Sequence, residues 1–190
     1  MDAFLVSLGV VAIAEIGDKT QLLAIMLAAR YRVVLPIVLG ILVATLANHA
    51  LAAALGGLAA DWLGPGWTRW MLGLGFLAMA AWVLVPDKMD DRPIGASRAS
   101  IFMTTLVAFF LVEIGDKTQI ATVALAARFD DIVLVTLGTT AGMMVANVPA
   151  VFFGDVAATK IPLKLVRGIA AAVFALLGLA VLFDIGNLLG

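Results

Sequence analysis

Six apolar stretches, each long enough to cross a lipid bilayer, dominate this sequence of 190 residues. A transmembrane helix needs about 20 mostly apolar residues to cross a hydrocarbon core of roughly 30 Å. Hydrophobic residues make up 64% of the chain and charged residues 13%, so a water-soluble fold of this size could not cover its apolar surface. We therefore predict an all-α integral membrane protein with six transmembrane helices, at about residues 3–29, 34–57, 68–86, 100–127, 132–158 and 163–183.

The basic residues predict how these spans are oriented. If the spans alternate in direction, Arg69 and Arg128 fall in turns on one side of the membrane and eight basic residues fall on the other. The eight are Arg30, Arg32, Lys88, Arg92, Arg98, Lys160, Lys164 and Arg167. Because basic residues favour cytoplasmic turns, we expect the eight in the cytoplasm and both chain termini outside it.

A duplicated segment divides the chain into two halves. Residues 14–31 read AEIGDKTQLLAIMLAARY and residues 112–129 read VEIGDKTQIATVALAARF, with 11 of 18 positions identical at an offset of 98. Each half then holds three spans, and because three is odd the second half must cross the membrane in the opposite sense. We predict two inverted three-helix repeats, residues 1–86 and 100–190, joined by a cytoplasmic linker at 87–99. Secondary transporters of this plan bind substrate near the bilayer midplane.

Charged residues near the middle of the first and fourth spans point to a functional site. They are Glu15, Asp18 and Lys19, with their duplicates Glu113, Asp116 and Lys117. An ionised residue at the centre of a transmembrane helix costs about 2.5–3.5 kcal/mol, so such residues face each other or water and are functional by default. Their spacing of three and four residues predicts that each set projects from one side of its helix. Four carboxylates and two ammonium groups sum to a charge of −2, which one divalent cation would balance. The alternative is a set of paired ions that only holds the helices together.

The available donor atoms predict the class of metal. The chain has no cysteine and one histidine, which excludes disulfides, iron–sulfur clusters and Cys/His zinc sites. Carboxylate and amide oxygens suit Mg²⁺, Ca²⁺ and Mn²⁺. Asn48 and Asn147 either add amide oxygens or form hydrogen bonds between helices, and both interpretations stay open. We interpret His49 as a packed or hydrogen-bonded residue rather than a ligand. Thr20 and Thr118 are expected to bond their own helix or line the cavity.

Protons and a metal ion would compete for these carboxylates. Four carboxylates in a low-dielectric pocket cannot all stay ionised without a cation, so some hold protons when no metal is bound. A rocking motion that exposes the site to each side in turn would then exchange metal for protons. No nucleotide-binding motif is present, so the driving force must be an ion gradient. Gly17 and Gly115, inside the motifs, permit either close packing or a break in the helix.

At these residues the sequence resembles the Gdt-type family of membrane proteins, whose hallmark is E-φ-G-D-(K/R)-(T/S) in each of two three-helix halves. Residues 15–20 and 113–118 both read Glu-Ile-Gly-Asp-Lys-Thr and match this motif in full. The resemblance implies export of Mn²⁺, or Ca²⁺ in some relatives, from the cytoplasm in exchange for protons or another cation. It implies that the metal ligands are Glu15, Asp18, Glu113 and Asp116, with Gln21 and Gln119 contributing. Lys19, Thr20, Asn48, Lys117, Thr118 and Asn147 are the expected supporting residues.

The resemblance to the bacterial members of that family implies the bacterial inner membrane. The nearest alternative function is a Ca²⁺/H⁺ antiporter, because Ca²⁺ and Mn²⁺ both accept carboxylate oxygens. A membrane-embedded metalloenzyme is disfavoured by the absence of an HExxH motif and of a Ser/His arrangement, and we expect no enzyme activity. A passive cation channel remains a further alternative. Besides the transported metal we expect no cofactor, and a net charge of −1 argues against a nucleic-acid partner. A homo-oligomer is compatible with the sequence.

Overall fold

Helices make up the regular structure of residues 1–85, 101–153 and 163–183, which the computed structural model describes. In this part of the chain they are α1 (Asp2–Glu15), α2 (Lys19–Tyr31), α3 (Val34–Val83), α4 (Ile101–Glu113), α5 (Lys117–Phe129), α6 (Ile132–Phe153) and α7 (Leu163–Leu182). The predicted all-α class is therefore confirmed. The predicted linker at 87–99 and the end of the fifth predicted span lie outside the described residues.

The first and fourth predicted spans are each broken near their middle. Residues 16–18 separate α1 from α2, and residues 114–116 separate α4 from α5. Gly17 and Gly115 have φ angles of 78° and 74°, in the left-handed region that residues with a Cβ rarely adopt. These glycines therefore break the helix. Of the two roles that the sequence left open, close packing and a helix break, the structure shows the break. The expectation that each motif lies on one face of a continuous helix is wrong.

The second and third predicted spans are joined in the single helix α3, without the turn that we expected at about 58–67. This segment contains Pro65, whose ring removes one backbone hydrogen-bond donor, yet the helix runs without a break from Val34 to Val83. A straight helix of this length would extend about 75 Å, more than twice the thickness of a hydrocarbon core. The first part of α3 packs on α4 and α5. Its last part packs on α7, where Phe76 stacks on Phe174 with 6.3 Å between ring centroids.

The two halves pack on each other reciprocally. A methyl group on Gly138 of α6 would lie 2.5 Å from the carbonyl oxygen of Phe4 in α1. A methyl group on Gly40 of α3 would lie 2.9 Å from the carbonyl oxygen of Phe102 in α4. At the offset of 98, Gly40 corresponds to Gly138 and Phe102 corresponds to Phe4. Thus α1 packs on α6 as α4 packs on α3, and glycine allows the close approach in both places.

The distribution of polarity is the reverse of that in a soluble protein. Leu35, Leu51 and Leu55 of α3 are exposed, whereas the carboxylates of both acidic motifs are buried. The segments Val34–Ala59 and Ile132–Phe153 each have the length and hydropathy of a membrane span, and they begin at equivalent positions of the two halves. An apolar exterior around buried ions is expected of a protein surrounded by lipid.

Candidate metal centre

The two helix breaks position the four acidic residues of the motifs. Glu15 ends α1 and Asp18 is the N-cap of α2, while Glu113 and Asp116 hold the same positions in α4 and α5. The φ and ψ angles are −82° and 169° at Asp18 and −79° and 166° at Asp116. The repeated sequence therefore produces the same local structure twice. Discontinuous helices of this kind form the ion sites of many secondary transporters.

A glutamine side chain accepts a hydrogen bond from the backbone of each helix break. The backbone N–H of Gly17 donates to Oε1 of Gln21 at 2.9 Å, and that of Gly115 donates to Oε1 of Gln119 at 2.7 Å. Nε2 of Gln21 also donates to the carbonyl oxygen of Ala146 in α6, at 3.1 Å. The amide oxygens expected at the metal are thus engaged by backbone N–H groups. In this structure both glutamines stabilise the conformation that breaks the helix.

The motif lysines form ion pairs that cross between the halves. Nζ of Lys19 lies 2.8 Å from Oδ1 of Asp116, and Nζ of Lys117 lies 3.3 Å from Oδ1 of Asp18. Each ammonium group therefore neutralises charge in the opposite motif. The pairs join α2 to the start of α5, and α5 to the start of α2.

Three carboxylates from the two halves converge beside these ion pairs. Glu15, Asp18 and Asp116 are buried, and one oxygen from each lies within 4.8 Å of the other two. The Thr20 hydroxyl donates to Oε2 of Glu15, whereas Oε1 has no hydrogen-bond partner among the described residues. The Thr118 hydroxyl donates to Oδ2 of Asp116 at 3.4 Å. The structure thus brings both motifs into one cluster whose geometry suits a metal ion with oxygen ligands.

Glu113 has different surroundings from its counterpart in the first motif. Its Oε1 accepts a hydrogen bond from the Thr45 hydroxyl at 3.2 Å, and its Oε2 lies 3.9 Å from Nε2 of His49. The residues equivalent to Thr45 and His49 in the second half are Met143 and Asn147. The two motifs are therefore identical in sequence but not in environment.

The two asparagines make different hydrogen bonds. Nδ2 of Asn48 donates to the carbonyl oxygen of Phe110 in α4 at 3.0 Å, which links two helices. Nδ2 of Asn147 donates to the carbonyl oxygen of Met143 in its own helix at 3.1 Å. The sequence analysis did not single out Thr45. Its position four residues before His49, on the same face of α3, is the signal that could have revealed it.

Helix ends add fixed partial charges to the cluster. Asp18 and Asp116 stand at helix N-termini, where the positive end of the helix dipole stabilises a carboxylate. Glu15 and Glu113 stand at helix C-termini, where the partial charge is negative, and their own charges repel each other. A cation bound between the motifs would relieve this repulsion.

Comparison with known proteins identifies the family. A family model described as divalent cation/proton antiporter GDT1 matches residues 3–91 and 101–187. The chain belongs to the GDT1 family. The resemblance found in the sequence is thereby confirmed, and the activity that describes the family is divalent cation/proton antiport.

Relatives of the GDT1 family match nearly the whole chain. A Vibrio cholerae protein named "Putative manganese exporter" is 50% identical over 184 residues, which cover 96% of this chain and 92% of the relative. GDT1-like protein 3 of Oryza sativa subsp. japonica is 29% identical over 199 residues, covering 91% of this chain and 71% of the relative. No solved structure matches the chain significantly.

Proposed function

We propose that this GDT1 protein exports Mn²⁺ from the cytoplasm in exchange for protons, across the bacterial inner membrane. The observation that carries the proposal is the buried cluster of Glu15, Asp18 and Asp116, which combines carboxylates from both halves. Membership of an antiporter family and the name of the Vibrio cholerae relative support the direction and the metal.

The first element of the proposal is that the two motif-bearing spans, α1–α2 and α4–α5, form an inverted repeat, and helix directions support it. Gly40 near the start of α3 lies against Phe102 near the start of α4. Gly56, further along α3, lies against Val123 in α5. The first part of α3 therefore runs parallel to the α4–α5 span.

The chain path within the first half gives the direction of α2 relative to the first part of α3. The α2 helix leads away from the motif at Asp18, and α3 returns to the motif level, where Thr45 and His49 approach Glu113. The first part of α3 is thus antiparallel to α2. Since it is parallel to α4–α5, the duplicated spans run in opposite directions, as an inverted repeat requires. Because basic residues favour cytoplasmic turns, we propose that the side carrying the eight basic residues is cytoplasmic and that both termini lie outside the cytoplasm.

Charge balance supplies the exchange mechanism. The six motif side chains sum to −2 when ionised, so one divalent cation neutralises them and protons replace that charge when the metal leaves. Asp18 and Asp116 bind the metal from helix N-termini, and Glu15 and Glu113 bind it from helix C-termini. Gln21 and Gln119 hold the backbone between each acidic pair. Rocking of one half against the other opens the cluster to each side in turn.

Flux measurements in proteoliposomes test this function. The purified protein is reconstituted, a pH gradient is imposed, and ⁵⁴Mn²⁺ and ⁴⁵Ca²⁺ fluxes are recorded with and without a protonophore. We expect Mn²⁺ flux that follows the pH gradient and collapses with the protonophore. Flux that is independent of any counter-ion would instead indicate a channel. Movement of Ca²⁺ with neither movement nor inhibition by Mn²⁺ would remove manganese from the proposal.

A further inference from the structure

His49 is a buried polar residue whose ring is unsatisfied. Its side chain is 1% exposed, and neither ring nitrogen forms a hydrogen bond within the part of the chain that the structure describes. Leaving a buried polar group unpaired is costly, so such a group calls for an explanation. Nε2 points towards Oε2 of Glu113, but the 3.9 Å between them is too long for a hydrogen bond. Oε2 also lacks a hydrogen-bond partner among the described residues.

The gap between these two atoms has the size for a metal ion. Bonds of about 2.0–2.2 Å, the lengths that zinc makes to nitrogen and oxygen, would span this distance if the two donor atoms lay on nearly opposite sides of the ion. The Thr45 hydroxyl holds Oε1, the other oxygen of the same carboxylate, at 3.2 Å. This hydrogen bond leaves Oε2 directed at His49. A nitrogen donor thus faces a carboxylate donor of the second motif.

We propose that His49 is a nitrogen ligand of the transported metal and sets the selectivity for Mn²⁺ over Ca²⁺. The inference rests on the proposed function and assigns His49 the ligand role that the sequence analysis disfavoured. Carboxylate oxygens bind both ions, so the cluster of Glu15, Asp18 and Asp116 alone discriminates poorly between them. Ca²⁺ takes oxygen ligands, whereas imidazole is a ligand for transition metals. One nitrogen donor therefore favours Mn²⁺ at a centre otherwise built from oxygen.

The repeat provides an internal comparison for this role. The counterpart of His49 is Asn147, which donates to its own helix through Nδ2. The nitrogen ligand thus belongs to one half only. The variant His49→Asn gives α3 the same residue that α6 carries at this position.

Electron spin-echo spectroscopy of bound Mn²⁺ tests the ligand directly. Because the chain has a single histidine, imidazole ¹⁴N modulation in a protein with a histidine-free tag can arise only from His49. We expect this modulation in the parent protein and its loss in His49→Asn. A parent that binds Mn²⁺ without the modulation would overturn the inference and leave the proposed function standing. A parent that binds no Mn²⁺ would overturn both.

Competition flux tests the selectivity. We expect His49→Asn to lower the ratio of Mn²⁺ to Ca²⁺ transport by about tenfold, mainly through weaker Mn²⁺ binding. Thr139→Val is the control, because its hydroxyl is buried but bonds to the carbonyl oxygen of Val135 in its own helix. An unchanged ratio in His49→Asn would contradict the inference. If that variant does not fold, His49→Gln replaces it, and the spectrum of the parent protein needs no variant.

Discussion

Lys19 of the first motif forms an ion pair with Asp116 of the second, with 2.8 Å between Nζ and Oδ1. The same aspartate supplies one of the three clustered carboxylate oxygens. We expect Asp116→Asn to abolish Mn²⁺ flux in proteoliposomes, because the amide keeps the shape of the side chain but loses its charge. Asp2→Asn, which changes an exposed carboxylate at the start of α1, should transport normally. Normal flux in Asp116→Asn would show that this residue is not a ligand.

The two motif lysines should differ in their effect on stability. The side chain of Lys117 is 4% exposed and that of Lys19 is 27% exposed. Removing one partner of a buried ion pair costs about 3–5 kcal/mol, and less where water screens the remaining charge. We therefore expect Lys117→Met to lower the thermal unfolding temperature in detergent more than Lys19→Met. Added Mn²⁺ should restore part of the loss, since it neutralises the carboxylate that has lost its lysine partner. Equal losses in the two variants would contradict this prediction.

We expect glycine to be required at position 115 because of its backbone conformation and not because of a lack of space. A methyl group there would meet no atom within 4 Å, but its φ of +74° is costly for any residue with a Cβ. We expect Gly115→Ala to destabilise the protein by about 1–2 kcal/mol and to reduce transport, because it strains the break between α4 and α5. Gly9→Ala is the matched control, since it also has free space but lies inside the regular helix α1. It should be neutral or stabilising. Equal thermal stability of the two variants would exclude a backbone role for Gly115.

Single cysteines should report the inverted topology. The parent has no cysteine, so Arg32→Cys and Asp130→Cys each introduce one thiol. These positions are equivalent in the repeat, both are exposed and both have positive φ, so the substitution perturbs them alike. We expect a membrane-impermeant maleimide to label Asp130→Cys from outside intact cells and Arg32→Cys only after the membrane is opened. Labelling of both from the same side would contradict the inverted repeat.

The sequence predicted the helices of this structure because helix formation depends mainly on residues that are close together in the chain. The ends of α2 and α5 follow the same Ala-Ala-Arg sequence, and Arg32 and Asp130 after them share a left-handed backbone conformation. The turn expected between the second and third spans, at about 58–67, is absent from α3. Turn propensity at a few residues did not prevent helical hydrogen bonding from continuing on both sides of Pro65.

The sequence by itself determined that this chain is helical and apolar, and that it carries one charged motif twice. These properties follow from composition and from short-range spacing. Only the tertiary structure decided that each lysine pairs with the aspartate of the opposite motif, and that Glu113 rather than Glu15 faces His49. Such contacts join residues far apart in the chain, and they depend on how broken helices from two halves pack together. Two motifs of identical sequence acquire different neighbours because the helices that pack around them differ.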